Sequence, residues 1–471
     1  MTTQTYDVVV IGAGPAGENA ADYAVKHGLS AAIVEAELVG GECSYWGCMP
    51  SKALLRPTEA LAAARRIPAA ASAVTGDVDV AGVLRNRDAF ASNWEDQGQV
   101  DWLEGAGVTL VRGHGRLTGE RTVEVTAPDG SVTTLTAERG VVIATGTRAS
   151  APPIDGLAET RTWGNREVIA IETVPARLLV LGGGVIGAEM AQAVARLGAD
   201  EVTVIEAAPR MIATEEAFVG AELQAALEAE GITVHVDARA TQVKRVGEDG
   251  EVTVTLEDGR TITGDELLVA VGRRALTDDI GLDAIGVEAG RGGFIEVDGH
   301  LKVPGHDWLY VVGDANGRAL LTHQGKYQAR LVGDALAGID VDPAWADERA
   351  VPRVVYTDPQ IAAVGLTEAG ARDAGIDPLV VSYDIGHTAG GALNGKGTAG
   401  TTQLVVDRER RVIVGATFVG PGVGEMLHAA TIAIVGEVTI EQLWHAVPPF
   451  PTMSEVWLRL LEEVRAAEST A

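Results

Sequence analysis

The 471-residue chain has only two cysteines, 4% aromatic residues and no excess of basic side chains. Two cysteines cannot frame a secreted disulfide scaffold. A zinc site needs four ligands, and no His/Cys cluster lies beside them, so no metal site is expected. Lys and Arg number 37 against 66 Asp and Glu, a net charge of −29. Nucleic acid and anionic membranes would repel so acidic a chain, and neither is expected as a partner. No apolar run reaches the ~18 residues that a membrane helix needs. The opening "MTTQTYDVVVIGAG" lacks a basic n-region and runs straight into a strand. A signal peptide is therefore not expected, and the cytoplasm is the expected compartment. Hydrophobic residues, at 46%, are ample for the cores of about three domains.

Both cysteines fall in "GGECSYWGCMPSKALLRP", residues 40–57. On a regular helix, Cys43 and Cys48 would be separated by about 7.5 Å of rise and face apart. A disulfide wants its Cα atoms within about 7 Å, so pairing needs unwound backbone. Gly40, Gly41 and Gly47 allow it. The segment becomes helical through "SKALLR", and Pro57 is expected to stop it. Closing so small a loop adds little stability, which suits a pair that opens and closes. In a cytosolic chain such a pair reads as redox-active before metal-binding.

The stretch "YDVVVIGAGPAGENAADYAVKHG" joins a buried strand at 8–11 to Gly12, Gly14 and Gly17, then to a helix with Ala20, Ala21 and Ala24 inward. Such a turn brings a diphosphate against the free N–H groups of a helix. The next strand, "AAIVE", ends at Glu35, placed to take ribose hydroxyls. The pattern returns in "RLLVLGGGVIGAEMAQAVARLGADEVTVIEAAPR", with Gly182, Gly184, Gly187 and Glu206. Two units suggest two dinucleotides, a flavin and a nicotinamide. Glu206 would repel a 2′-phosphate and favours NADH; Arg210, four residues on, keeps NADP(H) as the alternative.

The chain resembles the flavoprotein disulfide reductases, the group of lipoamide dehydrogenase, glutathione reductase and mercuric reductase. Besides both fingerprints and the Cys43/Cys48 motif, the resemblance rests on "VVIATGTRASAPPIDG", "LLVAVGRRALT", "LYVVGDANG" and "VPRVVYTDPQIAAVGLTE". It implies an α/β fold with two Rossmann-like dinucleotide-binding domains and a C-terminal α+β dimerisation domain. The implied layout is residues 1–155 for FAD, 156–280 for NAD(P), 281–345 completing the FAD domain, and 346–471 forming a homodimer interface. The resemblance places Ala144, Thr145, Gly146, Gly272, Arg273, Gly313, Asp314 and Ala315 at the cofactors, with Asp314 on the ribityl chain. It sets Lys52 near the flavin, paired with Glu189, because a buried cation needs a partner. His323 falls where the family often has a histidine, with helix-start packing as the other reading. Electrons would pass from NADH through FAD to the Cys43–Cys48 disulfide. Cys48 would be the thiolate beside the flavin and Cys43 the interchange thiol.

The pattern breaks near the C-terminus. The family carries His-Pro-Thr with a glutamate five residues after the histidine, as a general acid/base pair reaching in from the partner subunit. Aligning Pro451, Thr452 and Glu455 puts Phe450 at the histidine position. A general base contributes about 10²–10⁴-fold, so its loss argues against efficient dithiol turnover. His445, five residues upstream, is the candidate substitute. Mercuric reductases also lack the histidine but use a second cysteine pair near the C-terminus, which this chain does not have. Tyr45 and Trp46 lie between the cysteines and either line a pocket for an aromatic or quinone-like acceptor or simply pack. The expected function is electron transfer from NADH through FAD and the cysteine pair to a disulfide or other small acceptor. The alternatives are a quinone reductase or diaphorase with electrons leaving directly from the flavin, and a low-turnover redox sensor.

Overall fold

The apolar run after Tyr6 forms the centre of a parallel sheet because each of its residues is buried on both faces; Val8, Val9 and Val10 are fully enclosed. In the computed structural model, which describes residues 2–469, the chain divides into two compact units. The first comprises Met1–Pro50, Arg87–Ser150 and Arg273–Glu348. Its parallel strands run in the order Thr109–Arg112, Ala31–Glu35, Thr2–Ile11, Val132–Ile143 and Leu309–Val311. The antiparallel strands Thr122–Thr126 and His114–Gly119 extend the sheet from Val132–Ile143. The chain leaves Thr2–Ile11 toward one edge and later returns to its other side. This reversal opens a crevice beyond the carboxyl ends of Thr2–Ile11 and Val132–Ile143. Helix Pro15–Lys26 covers one face with the buried Ala20, Ala21 and Ala24.

The second unit comprises Ser51–Asn86, Ala151–Gly272 and Arg349–Ala471. One sheet repeats the parallel theme in the order Thr233–His235, Glu201–Ile205, Arg177–Leu181, Glu266–Val269. A three-stranded antiparallel sheet, Ala240–Arg245, Val252–Leu256 and Thr261–Gly264, lies within the same segment. The C-terminal region builds an antiparallel sheet in the order Arg353–Val355, Gln360–Gly365, Val412–Gly420, Thr401–Asp407, Pro378–Asp384. Helices Val423–Val435 and Val456–Ser469 accompany it. The fold class is therefore the expected one, two Rossmann-like segments followed by an α+β region. Among the described residues, no helix is long and apolar enough to cross a membrane.

One expectation fails. Pro57 does not end its helix, which runs Cys48–Arg66 with the proline inside. An internal proline costs about 3 kcal/mol through a lost hydrogen bond and a ring clash. Leu54 and Leu55, both buried in a core cluster of the second unit, hold the preceding turn in place. Burying two leucines contributes an amount of that size or more.

Candidate active site

The two glycine turns have the same construction. A Cβ on Gly12, where φ is +102°, would lie 2.4 Å from the Ala144 carbonyl oxygen. On Gly182, at φ +109°, it would lie 2.5 Å from that of Ala270. Only glycine permits this closeness of neighbouring strand ends. Gly17 and Gly187 seat their helices against Gly12 and Gly182, whereas Gly14 and Gly184 cap the helices and face open space. That pattern leaves a cradle at each helix N-terminus, where free N–H groups attract a diphosphate.

The acids ending the second strands are fixed alike. Glu35 accepts from the Ala13 and Glu37 N–H groups at 2.8 and 2.7 Å. Glu206 accepts from Gly183 and Ala208 at 2.5 and 2.6 Å. Burial pushes the Glu35 carboxyl up, against those backbone bonds. A cavity of about 340 Å³ lies beside Glu35, lined also by Gly12, His114, Thr145 and Arg148. The Thr145 hydroxyl is buried with no partner in the chain, so the cradle, acid and orphaned hydroxyl fit a dinucleotide here. Arg210 turns its guanidinium to the Ala213 and Glu215 carbonyls of its own loop.

Farther along the first unit, Asp314 accepts from the Thr147 hydroxyl at 2.6 Å, and burial raises its carboxyl. Arg273 grips the Thr147 hydroxyl and carbonyl, both at 2.7 Å, and reaches Glu42 at 3.4 Å. Arg273–Ala275 pairs with Thr147–Ala149, so a short ribbon builds this network. Gly146 and Gly272 both have positive φ; Gly313 and Ala315 flank Asp314 in a short 3₁₀ turn. Thr147 was not legible as a site residue, since only strand pairing carries it to Asp314.

The cysteines carry thiols, Cys43 half-buried and Cys48 exposed. Turn Gly41–Tyr45 holds the first, and the second begins helix Cys48–Arg66. The Cys43 thiol is pushed well above its ordinary value, first by its hydrogen bond with Cys48 and then by burial. Cys48 Sγ meets the Thr322 hydroxyl at 3.3 Å. That contact falls one residue before His323, which is exposed. Tyr45 is 1% exposed, donates to the Val39 carbonyl at 2.8 Å and stacks edge-on with Trp46. Tyr45 therefore packs in the interior of this turn.

In the second unit, Lys52 pairs with Glu189 at 2.8 Å, and the Tyr356 N–H donates to the other Glu189 oxygen at 2.9 Å. The lysine also stands 4.8 Å from the Tyr356 ring. Glu455 spends its oxygens on the Ala389 N–H and on Arg459, and these bonds hold its carboxyl below the usual range. His445 is exposed just past helix Ile440–Leu443, and Phe450 is 76% exposed.

A glycine-turn cradle in each unit and a thiol pair in the first are the features expected of a nicotinamide-linked flavoprotein oxidoreductase. Residues 6–329 match the pyridine nucleotide-disulphide oxidoreductase family and 351–460 its dimerisation domain. The chain is 37% identical to a dihydrolipoyl dehydrogenase of Chlorobaculum tepidum, across 96% of this chain and 95% of that one. It is 32% identical to a mercuric reductase of Streptomyces lividans, across 96% and 94%. LpdA from Mycobacterium tuberculosis superposes with a TM-score of 0.85 at 25% identity, over 98% and 100% of the two chains. The HOCl-induced flavoprotein disulfide reductase RclA from Escherichia coli shares the fold, with a TM-score of 0.84 at 24% identity over 98% and 99%. The chain belongs to the pyridine nucleotide-disulphide oxidoreductase family. It is an FAD- and NAD(P)H-dependent enzyme of dihydrolipoyl dehydrogenase type.

Proposed function

We propose that the enzyme delivers electrons from NADH through the Cys43–Cys48 pair to a small acceptor that needs no histidine to move its protons. The observation that carries this is Phe450, an exposed phenylalanine where the family's base would stand. Glu455 is no replacement: both its oxygens are bonded and its carboxylate is held ionised.

FAD, when bound, supplies the two-electron chemistry that links a nicotinamide to a sulfur pair. The first glycine turn would hold its diphosphate, Glu35 its ribose, and Asp314, oriented by Thr147, its ribityl hydroxyls. The second turn and Glu206 would hold NADH. Arg210 points into its own loop and leaves the Glu206 charge to repel a 2′-phosphate. In the reduced pair, Cys48 takes the single negative charge beside the Thr322 hydroxyl, and Cys43 keeps its proton. Reoxidation joins the sulfurs and gives the acceptor two electrons, the Cys43 proton and one proton from solvent. Lys52 and Glu189 serve as the ion pair on the cysteine helix, so that the lysine charge stays fixed. The dimerisation domain supports a homodimer; Leu393, Ile432, Val435, Val447 and Phe450 are among its exposed apolar side chains. The compartment proposed is the cytoplasm, a reducing setting that suits a cycling thiol pair.

A second reading, direct transfer from flavin to a quinone, is favoured by the proton retained on Cys43. Replacing Cys43 by serine separates the two. Loss of turnover with the best acceptor from a screen of disulfides, quinones and lipoamide supports the relay. Unchanged turnover overturns it.

A further inference from the structure

Glu18 follows the third glycine of the first fingerprint and lies in the first turns of helix Pro15–Lys26. The residue is 7% exposed, and Oε1 is buried with no partner in the chain. Helical side chains lean toward the helix N-terminus, the end at which Gly14 caps this helix and faces open space. A buried, unpaired carboxyl is costly. Three charged or titratable groups from neighbouring elements act on this region: Lys326 on helix Thr322–Leu336, Glu35 at its strand end, and Tyr45 on the cysteine turn. Tyr45 already spends its hydroxyl on Val39. Lys326 favours the ionised form of Glu18, Glu35 opposes it, and burial outweighs both, pushing the carboxyl up to about 7. On its own helix, Asp22 is paired with Lys26.

We propose that Glu18 is a cofactor-binding residue whose neutral carboxyl donates its O–H to the anionic diphosphate of the dinucleotide at this helix N-terminus. This rests on FAD occupying the first fingerprint. A protonated carboxyl is a donor, whereas an ionised one only accepts. Ionised, Glu18 would add a further negative charge beside the diphosphate and Glu35, so a bound diphosphate strengthens its hold on the proton. FAD binding therefore takes up a proton wherever the unliganded group is ionised. Affinity is constant below about pH 7 and falls as pH rises above it, by up to about tenfold per pH unit.

The test measures FAD dissociation from the full-length protein by flavin fluorescence between pH 6 and 9. Calorimetry in buffers of different ionisation heat counts the protons. Wild type should weaken above neutrality and take up close to one proton at pH 8. Glu18→Gln keeps an N–H donor but cannot titrate, so its affinity should be level with pH and close to wild type at pH 6. Glu18→Ala should bind about 10–100-fold more weakly at pH 6, the size of one hydrogen bond to a charged group. NADH binding at the second fingerprint checks that both variants fold. A Glu18→Gln protein with the wild-type pH slope, or a wild type that takes up no proton, overturns the role. A chain that binds no FAD at any pH overturns the cofactor assignment as well.

Discussion

Replacing Lys52 with methionine isolates the energetics of the ion pair on the cysteine helix. The pair is asymmetric: the lysine side chain is 33% exposed, the Glu189 side chain only 3%. Removing the lysine leaves a buried carboxylate that keeps the Tyr356 N–H as a donor. Breaking a buried pair this way costs about 3–5 kcal/mol. Protonation sets a ceiling. A glutamate in water titrates near ~4.3, so neutralising one at pH 7 takes about 3.7 kcal/mol, and about 1.4 less for each pH unit below that. The penalty in Lys52→Met is therefore about 3 kcal/mol at pH 7 and about 1 at pH 5. The sign follows from proton counting: the folded variant gains a proton acceptor, so acid relieves the damage.

The unit holding both residues has roughly 280 residues, so 1 kcal/mol moves its midpoint by roughly 1.7 °C at ~2.1 cal/mol/K per residue. Thermal unfolding of Lys52→Met should show a drop of about 5 °C at pH 7, shrinking to about 2 °C at pH 5. Glu189→Leu should cost less, because the half-exposed lysine returns to water and to the Tyr356 ring. The double variant should recover most of the loss. A Lys52→Met penalty that is level with pH, or a Glu189→Leu penalty equal to it, would refute the reasoning.

Phe450→His should raise dihydrolipoamide turnover by about 10²-fold or more, read as NADH formation, if the missing base is what limits dithiol chemistry; no gain removes Phe450 from the argument. Glu206→Ala should narrow the preference for NADH over NADPH by at least about tenfold in kcat/KM, since the like-charge repulsion is gone. A preference that persists in the variant would place cofactor discrimination elsewhere.

Both glycine fingerprints and their closing acids were legible in the sequence because each depends on local periodicity and on contacts within a short βα unit. That position 450 holds a phenylalanine was equally plain, being a matter of residue type. Pro57 was misread because local propensity counted the proline and not the leucines packed beneath the turn before it. Tyr45 was ambiguous for the same reason: its burial and its bond to Val39 are set by packing. The sequence by itself thus determined the family and, with it, the FAD and NAD(P)H cofactors. Only the folded chain decided that Thr147 meets Asp314, that Thr322 meets Cys48, and that Glu18 lies shielded from water. Hydrogen bonding and desolvation act through space between residues far apart in the chain, and no local pattern encodes that proximity.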